Sequence, residues 1–155
     1  MELSIMLIII LFGVFSVYLF YLVGIYVKLE NRRSLILSKF EEVDNKINDK
    51  LEEVKKLNEI LNNNSIEDIR IKLLNSVSVN EKIKYDKELD NLIEDITTED
   101  KKANKILKTI KDINDKKDYA KEFYNDTLYE YNIILSTFSG NIMKKIFKYC
   151  EYNTF

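Results

Sequence analysis

The side chains that could carry out chemistry in this chain are few. Histidine is absent and Cys150 is the only cysteine, which excludes histidine–cysteine zinc sites, Ser-His-Asp triads, the Glu-x-x-His pairs of di-iron bundles and a disulfide framework. The sequence also has no glycine-rich phosphate loop. We therefore predict no enzyme activity, no cofactor and no metal site.

Acidic residues occur in pairs along the first charged part of the chain, as at Glu41-Glu42 and Glu52-Glu53. They lack the pattern of a Ca²⁺-binding loop and alternate with lysines, so we interpret them as solvated helix surface. A metal enzyme that uses carboxylates alone is the weakest hypothesis. Cys150 has no basic or catalytic partner of known geometry, and such a cysteine is usually inert.

Two Tyr–Asn pairs, Tyr124-Asn125 and Tyr131-Asn132, are seven residues apart and so share one face of a helix. One interpretation is a docking strip for a partner helix or peptide. The interpretation that we favour is packing, because apolar and aromatic residues at helical spacing usually face a core. It predicts that Asn125 and Asn132 each make a buried polar contact.

The composition favours a few long helices. The chain has no proline and three glycines, of which only Gly140 lies outside the first 27 residues, whereas a β-rich fold needs many turns with positive φ. The 24 basic and 26 acidic side chains nearly balance. Nucleic-acid binding usually needs a basic face, so we expect no nucleic-acid partner.

The segment from Leu3 to Val27 contains no charged side chain. As a helix it would be roughly 37 Å long, more than the ~30 Å hydrocarbon core of a bilayer, and Tyr26 would reach the interface. A cleaved signal peptide is disfavoured because the segment is too long, begins after Glu2 and ends in bulky residues. We predict a transmembrane anchor at residues 1–27 that contacts the lipid bilayer through residues 3–27.

Basic residues set the predicted orientation. None precedes the apolar segment, whereas Lys28, Arg32, Arg33 and Lys39 follow it. The positive-inside rule then places the N-terminus outside and the remainder in the cytoplasm. The expected location is the cell membrane, with a single pass.

After Lys28 the apolar residues recur at steps of three and four, which predicts helices. We expect the first helix to continue from the anchor to Leu61 and to break at Asn62–Asn64. Further helices are predicted to start at Ser65, with Asp68 as its capping acid, at Asn80, and after Thr97-Thr98. The last long helix should end at Phe138–Asn141.

The predicted fold is all-α, an N-terminal transmembrane helix that continues into an antiparallel three- to four-helix bundle of long helices. The bundle domain would cover residues 28–149, and residues 150–155 would form a short tail. Three arms of similar length indicate an up-down-up arrangement that ends about 50 Å from the bilayer. The basic segment Asn141–Tyr149 could lie on anionic lipid, but this arrangement favours a cap over the far end of the bundle.

The last helix and its tail resemble the LemA family. Asp118-Tyr119-Ala120-Lys121-Glu122-Phe123-Tyr124-Asn125-Asp126 resembles the family's A-Y-A-R-x-F-Y-N segment, Tyr131-Asn132 its second Y-N pair, and Phe138-Ser139-Gly140-Asn141 its F-P-x-N turn. Phe147 and Phe155 fall near the family's closing aromatic residues. Ser139 replaces the proline of the turn, and the middle of the chain lacks the family's Y-P-x-L-K-A element.

The resemblance implies a single-pass bacterial membrane protein with a helical cytoplasmic domain, and it implies no activity. The signature residues, which are also the candidate contacts for a partner, are Tyr124, Asn125, Tyr131, Asn132, Phe138 and Asn141. We expect a membrane-anchored interaction or scaffolding protein that binds an unknown protein partner. The alternative is a self-associating structural coiled-coil protein of the cell envelope, and thus a homo-oligomer.

Overall fold

The computed structural model describes residues 2–150, Tyr152 and Thr154, apart from the side chain of Glu2. It contains five helices: α1 (Glu2–Leu61), α2 (Asn64–Leu74), α3 (Val79–Glu94), α4 (Lys101–Ser136) and α5 (Phe138–Phe147). No strand occurs among these described residues, so the all-α prediction is confirmed. Phe155 lies outside the described residues, as does part of the predicted tail 150–155.

Helix α1 is continuous over 60 residues, which is about 90 Å. Its first part is exposed on all sides: an 18-residue window has a mean hydropathy of 2.7, and none of that window is buried. The helix is therefore long and apolar enough to span a membrane. It ends as predicted, because Asn62 adopts a left-handed conformation with φ 51°, which an asparagine tolerates better than most residues.

The helix starts differ in part from the predictions. The side chain of Asn63 accepts hydrogen bonds from the backbone N–H groups of Ser65 and Ile66 at 3.0 and 3.4 Å, so α2 begins earlier than the predicted start at Ser65. Ser78, and not Asn80, caps α3. Ser78 is favoured because Glu81 lies three residues later and completes a reciprocal capping box.

Helices α4 and α5 are separated by a single residue, Thr137. Its hydroxyl accepts a hydrogen bond from the Gly140 N–H at 3.0 Å and donates one to the Ile134 carbonyl at 2.7 Å. The last long helix therefore ends at Ser136, just before the predicted Phe138–Asn141 stretch, and that stretch is itself helical as the first turn of α5. A Cβ atom on Gly140 would lie 1.9 Å from the Ile134 carbonyl oxygen, so the close approach at this turn requires glycine.

The chain divides into two compact units. Unit 1 comprises Met1–Ile36 and Asp126–Asn153, and unit 2 comprises Leu37–Asn125 and Thr154–Phe155. The core of unit 2 is formed by apolar side chains of α1 to α4: Val43, Ile47, Leu51, Val54, Leu57, Ile66, Leu73, Leu89, Ile93, Ala103, Ile110 and Ala120. The buried apolar and aromatic side chains of unit 1 are Leu29, Ile36, Leu128, Tyr131, Leu135, Met143 and Tyr149.

Unit 1 corrects the predicted position of the C-terminal segment. The ring of Phe147, at the end of α5, lies 4.8 Å from the ring of Tyr26, centroid to centroid. Tyr26 is the penultimate residue of the uncharged segment Leu3–Val27. The predicted position about 50 Å away from that segment is therefore wrong, because aromatic and polar contacts hold the end of α5 and Tyr149 beside the end of the segment.

Candidate functional site

A buried cluster of charged side chains, the lysine–aspartate network, lies inside unit 2. It consists of Lys50 on α1, Asp86 and Asp90 on α3, and Lys117 on α4. Lys50 Nζ lies 2.6 Å from Asp86 and 2.5 Å from Asp90, and Lys117 Nζ lies 2.6 and 3.0 Å from the same two carboxylates. Each lysine thus bridges both aspartates.

The network is balanced in charge and withdrawn from water. The side chains of Lys50 and Lys117 are 0% and 2% exposed, and those of Asp86 and Asp90 are 7% and 22% exposed. Burial of isolated charges is costly, but pairing with further hydrogen bonds offsets much of that cost. Two cations against two anions leave the cluster neutral as a whole.

The two lysines experience this environment differently. Burial lowers the pKa of Lys50, and repulsion from Lys117 adds to that effect, so that Asp86 and Asp90 do not restore the ordinary value. Burial acts on Lys117 in the same direction, but Asp86 and Asp90 outweigh it and raise the pKa of that ammonium. Burial likewise opposes ionisation of Asp90, and the two lysines nevertheless lower its pKa.

The hydrogen bonds of Lys50 limit its chemistry. Its ammonium donates to the Asp86 carbonyl at 3.3 Å, to the Asp86 carboxylate at 2.6 Å and to the Asp90 carboxylate at 2.5 Å. An ammonium has three protons and no acceptor, so this group is fully engaged and is not presented to a substrate. The arrangement is suited to fixing the register of α1, α3 and α4.

The sequence contains a signal for this network that the apolar periodicity alone does not reveal. Lys50 lies three residues after Ile47 and four before Val54, at a position of the apolar stripe where a charge is unexpected. Asp86 and Asp90 are four residues apart and share a face of α3. A charged residue inside an apolar stripe, together with two residues of opposite charge on one face of another helix, indicates such a buried network.

A second cluster, the unit 1 aromatic cluster, consists of Tyr26, Tyr131, Phe147, Tyr149 and Tyr152. The Tyr131 ring lies 6.5 Å from that of Tyr149 and 5.8 Å from that of Tyr152, and Phe147 lies 6.0 Å from Tyr149. These rings join the end of α4 to the residues after α5.

Polar contacts fix this cluster to α1. The Tyr149 hydroxyl donates to the Glu30 carboxylate at 2.6 Å, and Arg33 donates to the Tyr152 hydroxyl oxygen at 3.3 Å. The Tyr131 hydroxyl donates to the Cys150 carbonyl at 3.2 Å. Burial raises the pKa of Tyr131 to about 12, and burial together with the hydrogen bond to Glu30 raises the pKa of Tyr149.

The six signature residues are divided between the two units. Tyr124 is buried in unit 2, where its ring lies 6.4 Å from that of Phe40, and Asn125 is half-buried. Tyr131 is buried in unit 1. Both tyrosine rings therefore pack inside the protein, in agreement with the packing interpretation of the sequence.

Of the other three signature residues, two are exposed and Asn132 is half-buried. Phe138 is 77% exposed and Asn141 is exposed. Within the part of the chain that the structure describes, the buried Oδ1 atom of Asn132 has no hydrogen-bond partner. The expectation that Asn132 satisfies a buried polar contact is therefore wrong for its side-chain oxygen, because no donor of the described residues reaches it.

The thiol of Cys150 is free and exposed. Among the described residues, no group of three or more His, Cys, Asp or Glu side chains is arranged to hold a metal ion. Comparison of the chain with protein-family models, with curated proteins and with solved structures gives no match. The resemblance to the LemA family therefore stays a prediction.

Proposed function

We propose that this chain is a single-pass cell-membrane protein of LemA type, whose helical domain binds a protein partner in the cytoplasm. The observation that carries the proposal is the continuity of α1. The same helix begins as an apolar segment exposed on all sides and ends as an element of a core that includes Val43, Val54 and Leu57. Anchor and domain thus share one helix, which suits a membrane-tethered scaffold.

We propose further that unit 2 is an antiparallel four-helix bundle. Asn58 on α1 donates to Glu67 near the start of α2, which is typical of a helix that turns back after the break at Asn62. Lys82 pairs with Asp44, and Asp86 pairs with Lys50, so residue numbers on α1 and α3 increase together. Such contacts fit an up-down-up-down order better than the expected up-down-up order.

The internal use of the buried charges supports a binding role over catalysis. The four groups of the lysine–aspartate network pair with one another, whereas a catalytic site needs groups that converge on a space for substrate. A tether that confines such a domain to a membrane would raise the effective concentration of a partner there. The LemA resemblance points in the same direction.

The first experiment tests membrane orientation with the native thiol. Intact cells that produce the chain are treated with a membrane-impermeant maleimide before and after permeabilisation, with a denatured control for burial of Cys150. We expect labelling only after permeabilisation. A second reporter is Val77→Cys in a Cys150→Ser background. Val77 is 94% exposed and is distant in sequence from Cys150, so it reports the location of another part of the domain.

Labelling of both thiols in intact cells would overturn the cytoplasmic location. A partner search follows by crosslinking and affinity purification of the full-length chain in detergent. The expected result is a specific protein that co-purifies in proportion to the chain. If every co-purifying protein also appears with an unrelated single-pass protein, the interaction role is refuted.

A self-associating structural protein is the second candidate. Exposed apolar side chains on α2 and just after it favour this candidate, since Ile71, Leu74 and Val77 are 43%, 58% and 94% exposed, and clustered apolar surface often marks an interface. The discriminating measurement is the mass of the full-length chain in detergent by light scattering. A monomer at all concentrations would eliminate self-association.

A further inference from the structure

Helix α5 is held beside the end of the apolar segment. The Phe147 and Tyr26 rings are 4.8 Å apart, and Tyr149, two residues later, donates to Glu30 at 2.6 Å. Both contacts lie within unit 1. The ten residues of α5 extend over only about 15 Å, so the whole helix lies close to the end of the uncharged segment.

This position gives α5 a definite depth when residues 3–27 cross a bilayer. Tyrosines at the end of a membrane span sit at the level of the lipid headgroups, and Tyr26 is the penultimate residue of the uncharged segment. The end of α5 that contacts Tyr26 then lies at the same level.

One side of α5 packs on the protein and another side carries exposed apolar residues. Ser139, Gly140 and Met143 are buried. Phe138, Ile142 and Ile146 follow one another at steps of four and so share a face; we name them the α5 stripe. Phe138 is 77% exposed, Ile146 is 62% exposed and Ile142 is half-buried.

Positive charge borders the α5 stripe. Residues 138–148 contain three lysines and no acidic residue. Lys145 and Lys148 are exposed, and Lys145 projects only about 20° from Phe138 around the helix axis. An apolar stripe with lysines along one edge is the pattern of a helix that lies in a membrane interface.

We propose that α5 lies on the bilayer that α1 crosses, with the α5 stripe at the boundary between headgroups and acyl chains and with Lys145 and Lys148 bound to anionic lipid headgroups. The inference rests on the proposed membrane span. Two observations favour lipid over a soluble partner or a second copy of the chain. The Phe147–Tyr26 contact holds the end of α5 beside the end of the proposed span, and the positive charge that flanks the stripe is complementary to anionic lipid.

The test uses the full-length chain in vesicles and a nitroxide label on a single cysteine in a Cys150→Ser background. The test position is Ile146→Cys. Val77→Cys serves as a matched control in water, and Val14→Cys, inside the apolar segment, reports the span itself. Collisions with oxygen, which concentrates in lipid, and with a water-soluble nickel chelate locate each label. Vesicles contain either neutral phosphatidylcholine alone or phosphatidylcholine with phosphatidylglycerol.

The proposal expects the label at Ile146 to collide mainly with oxygen in vesicles that contain phosphatidylglycerol, and the label at Val77 to collide mainly with the chelate. A label at Ile146 that stays in water in both kinds of vesicle overturns the proposal. Shielding from both agents with spin–spin broadening between labels assigns the stripe to a second copy and also overturns it. A label at Val14 in water would instead refute the membrane span.

Charge variants test the role of the lysines. Each lysine near an anionic surface strengthens binding about fivefold. The double variant Lys145→Gln, Lys148→Gln should therefore lower the equilibrium constant for the lipid-facing state of α5 about 25-fold. Lys101→Gln with Lys102→Gln, two exposed lysines of unit 2, is the matched control and should leave the label at Ile146 in lipid. Equal behaviour of the two double variants would refute headgroup binding by Lys145 and Lys148.

Discussion

Replacement of Lys50 by methionine tests whether the lysine–aspartate network stabilises the fold. Methionine has a similar length and helix propensity, so the main change is the loss of an ammonium that is 0% exposed and lies 2.6 and 2.5 Å from two carboxylates. Removing one partner of a buried ion pair costs about 3–5 kcal/mol, because the remaining charge is uncompensated.

The structure places Lys50→Met at the lower end of that range. Lys117 remains at 2.6 and 3.0 Å from Asp86 and Asp90 and compensates one of the two negative charges. We therefore expect the free energy of unfolding to fall by about 3 kcal/mol, which is a large share of the ~5–15 kcal/mol that holds a typical domain together.

Lys46→Met is the matched control. Lys46 is one turn earlier on α1 and pairs with Asp49 at 2.8 Å, but the two side chains are 31% and 53% exposed. Exposed ion pairs contribute at most about 1 kcal/mol. Both variants are unfolded with guanidinium chloride as full-length chains in detergent, and helix content is followed by circular dichroism.

A difference of about 2 kcal/mol or more between Lys50→Met and Lys46→Met supports the buried network. If the two variants unfold within about 0.5 kcal/mol of each other, Lys50 contributes no more than a surface lysine. That result would refute the assignment of the network as a stabilising element that fixes helix register.

Three further substitutions have expected outcomes. Gly140→Ala places a Cβ 1.9 Å from the Ile134 carbonyl oxygen and should lower stability by at least about 1–3 kcal/mol in the same unfolding assay, whereas Gly24→Ala, with no atom within 4 Å, should change little. Ser78→Ala removes the side-chain acceptor for the Glu81 N–H and should lower the free energy of unfolding by about 1 kcal/mol. An unchanged unfolding midpoint would contradict the capping box. Tyr131→Phe removes a hydroxyl whose pKa is raised from 10.0 to about 12. Because the pKa of this hydroxyl is higher in the folded chain than in the unfolded chain, the neutral hydroxyl stabilises the folded state fully below pH 10.0, and this contribution is lost as the pH rises to about 12. Between these two pH values the variant should therefore lose less thermal stability than the wild type. Equal losses in the two proteins would contradict the burial of the Tyr131 hydroxyl.

The long helices could be predicted because their signals are local. The absence of proline, the apolar stripe and Asn62–Asn64 were enough to give the extent of α1 to Leu61. Helix starts were less predictable, because several neighbouring residues can cap a helix. The selection of Ser78 over Asn80 depends on the reciprocal bond with Glu81, and the selection of Asn63 depends on the left-handed turn at Asn62.

The contacts between helices could not be derived from local patterns. Lysine is rarely buried unless it is paired, so the position of Lys50 in the apolar stripe indicates a buried partner but does not identify it. Only the chain path brings Asp86 and Asp90 to Lys50 and Lys117. The position of α5 beside Tyr26 depends in the same way on contacts between distant parts of the chain, such as that of Tyr149 with Glu30, which are 119 positions apart.

Unit 1 is built from two segments that are far apart in the sequence, and this has a consequence for biosynthesis. Leu29 and Ile36, which are buried in unit 1, are made early, but the other part of that unit begins only at Asp126. At ~5–20 residues per second, the intervening ~90 residues take on the order of 5–20 s to translate. During that interval the apolar side chains just after the uncharged segment lack the second part of unit 1, and a nascent chain that stops before Asp126 leaves them exposed to chaperones and proteases.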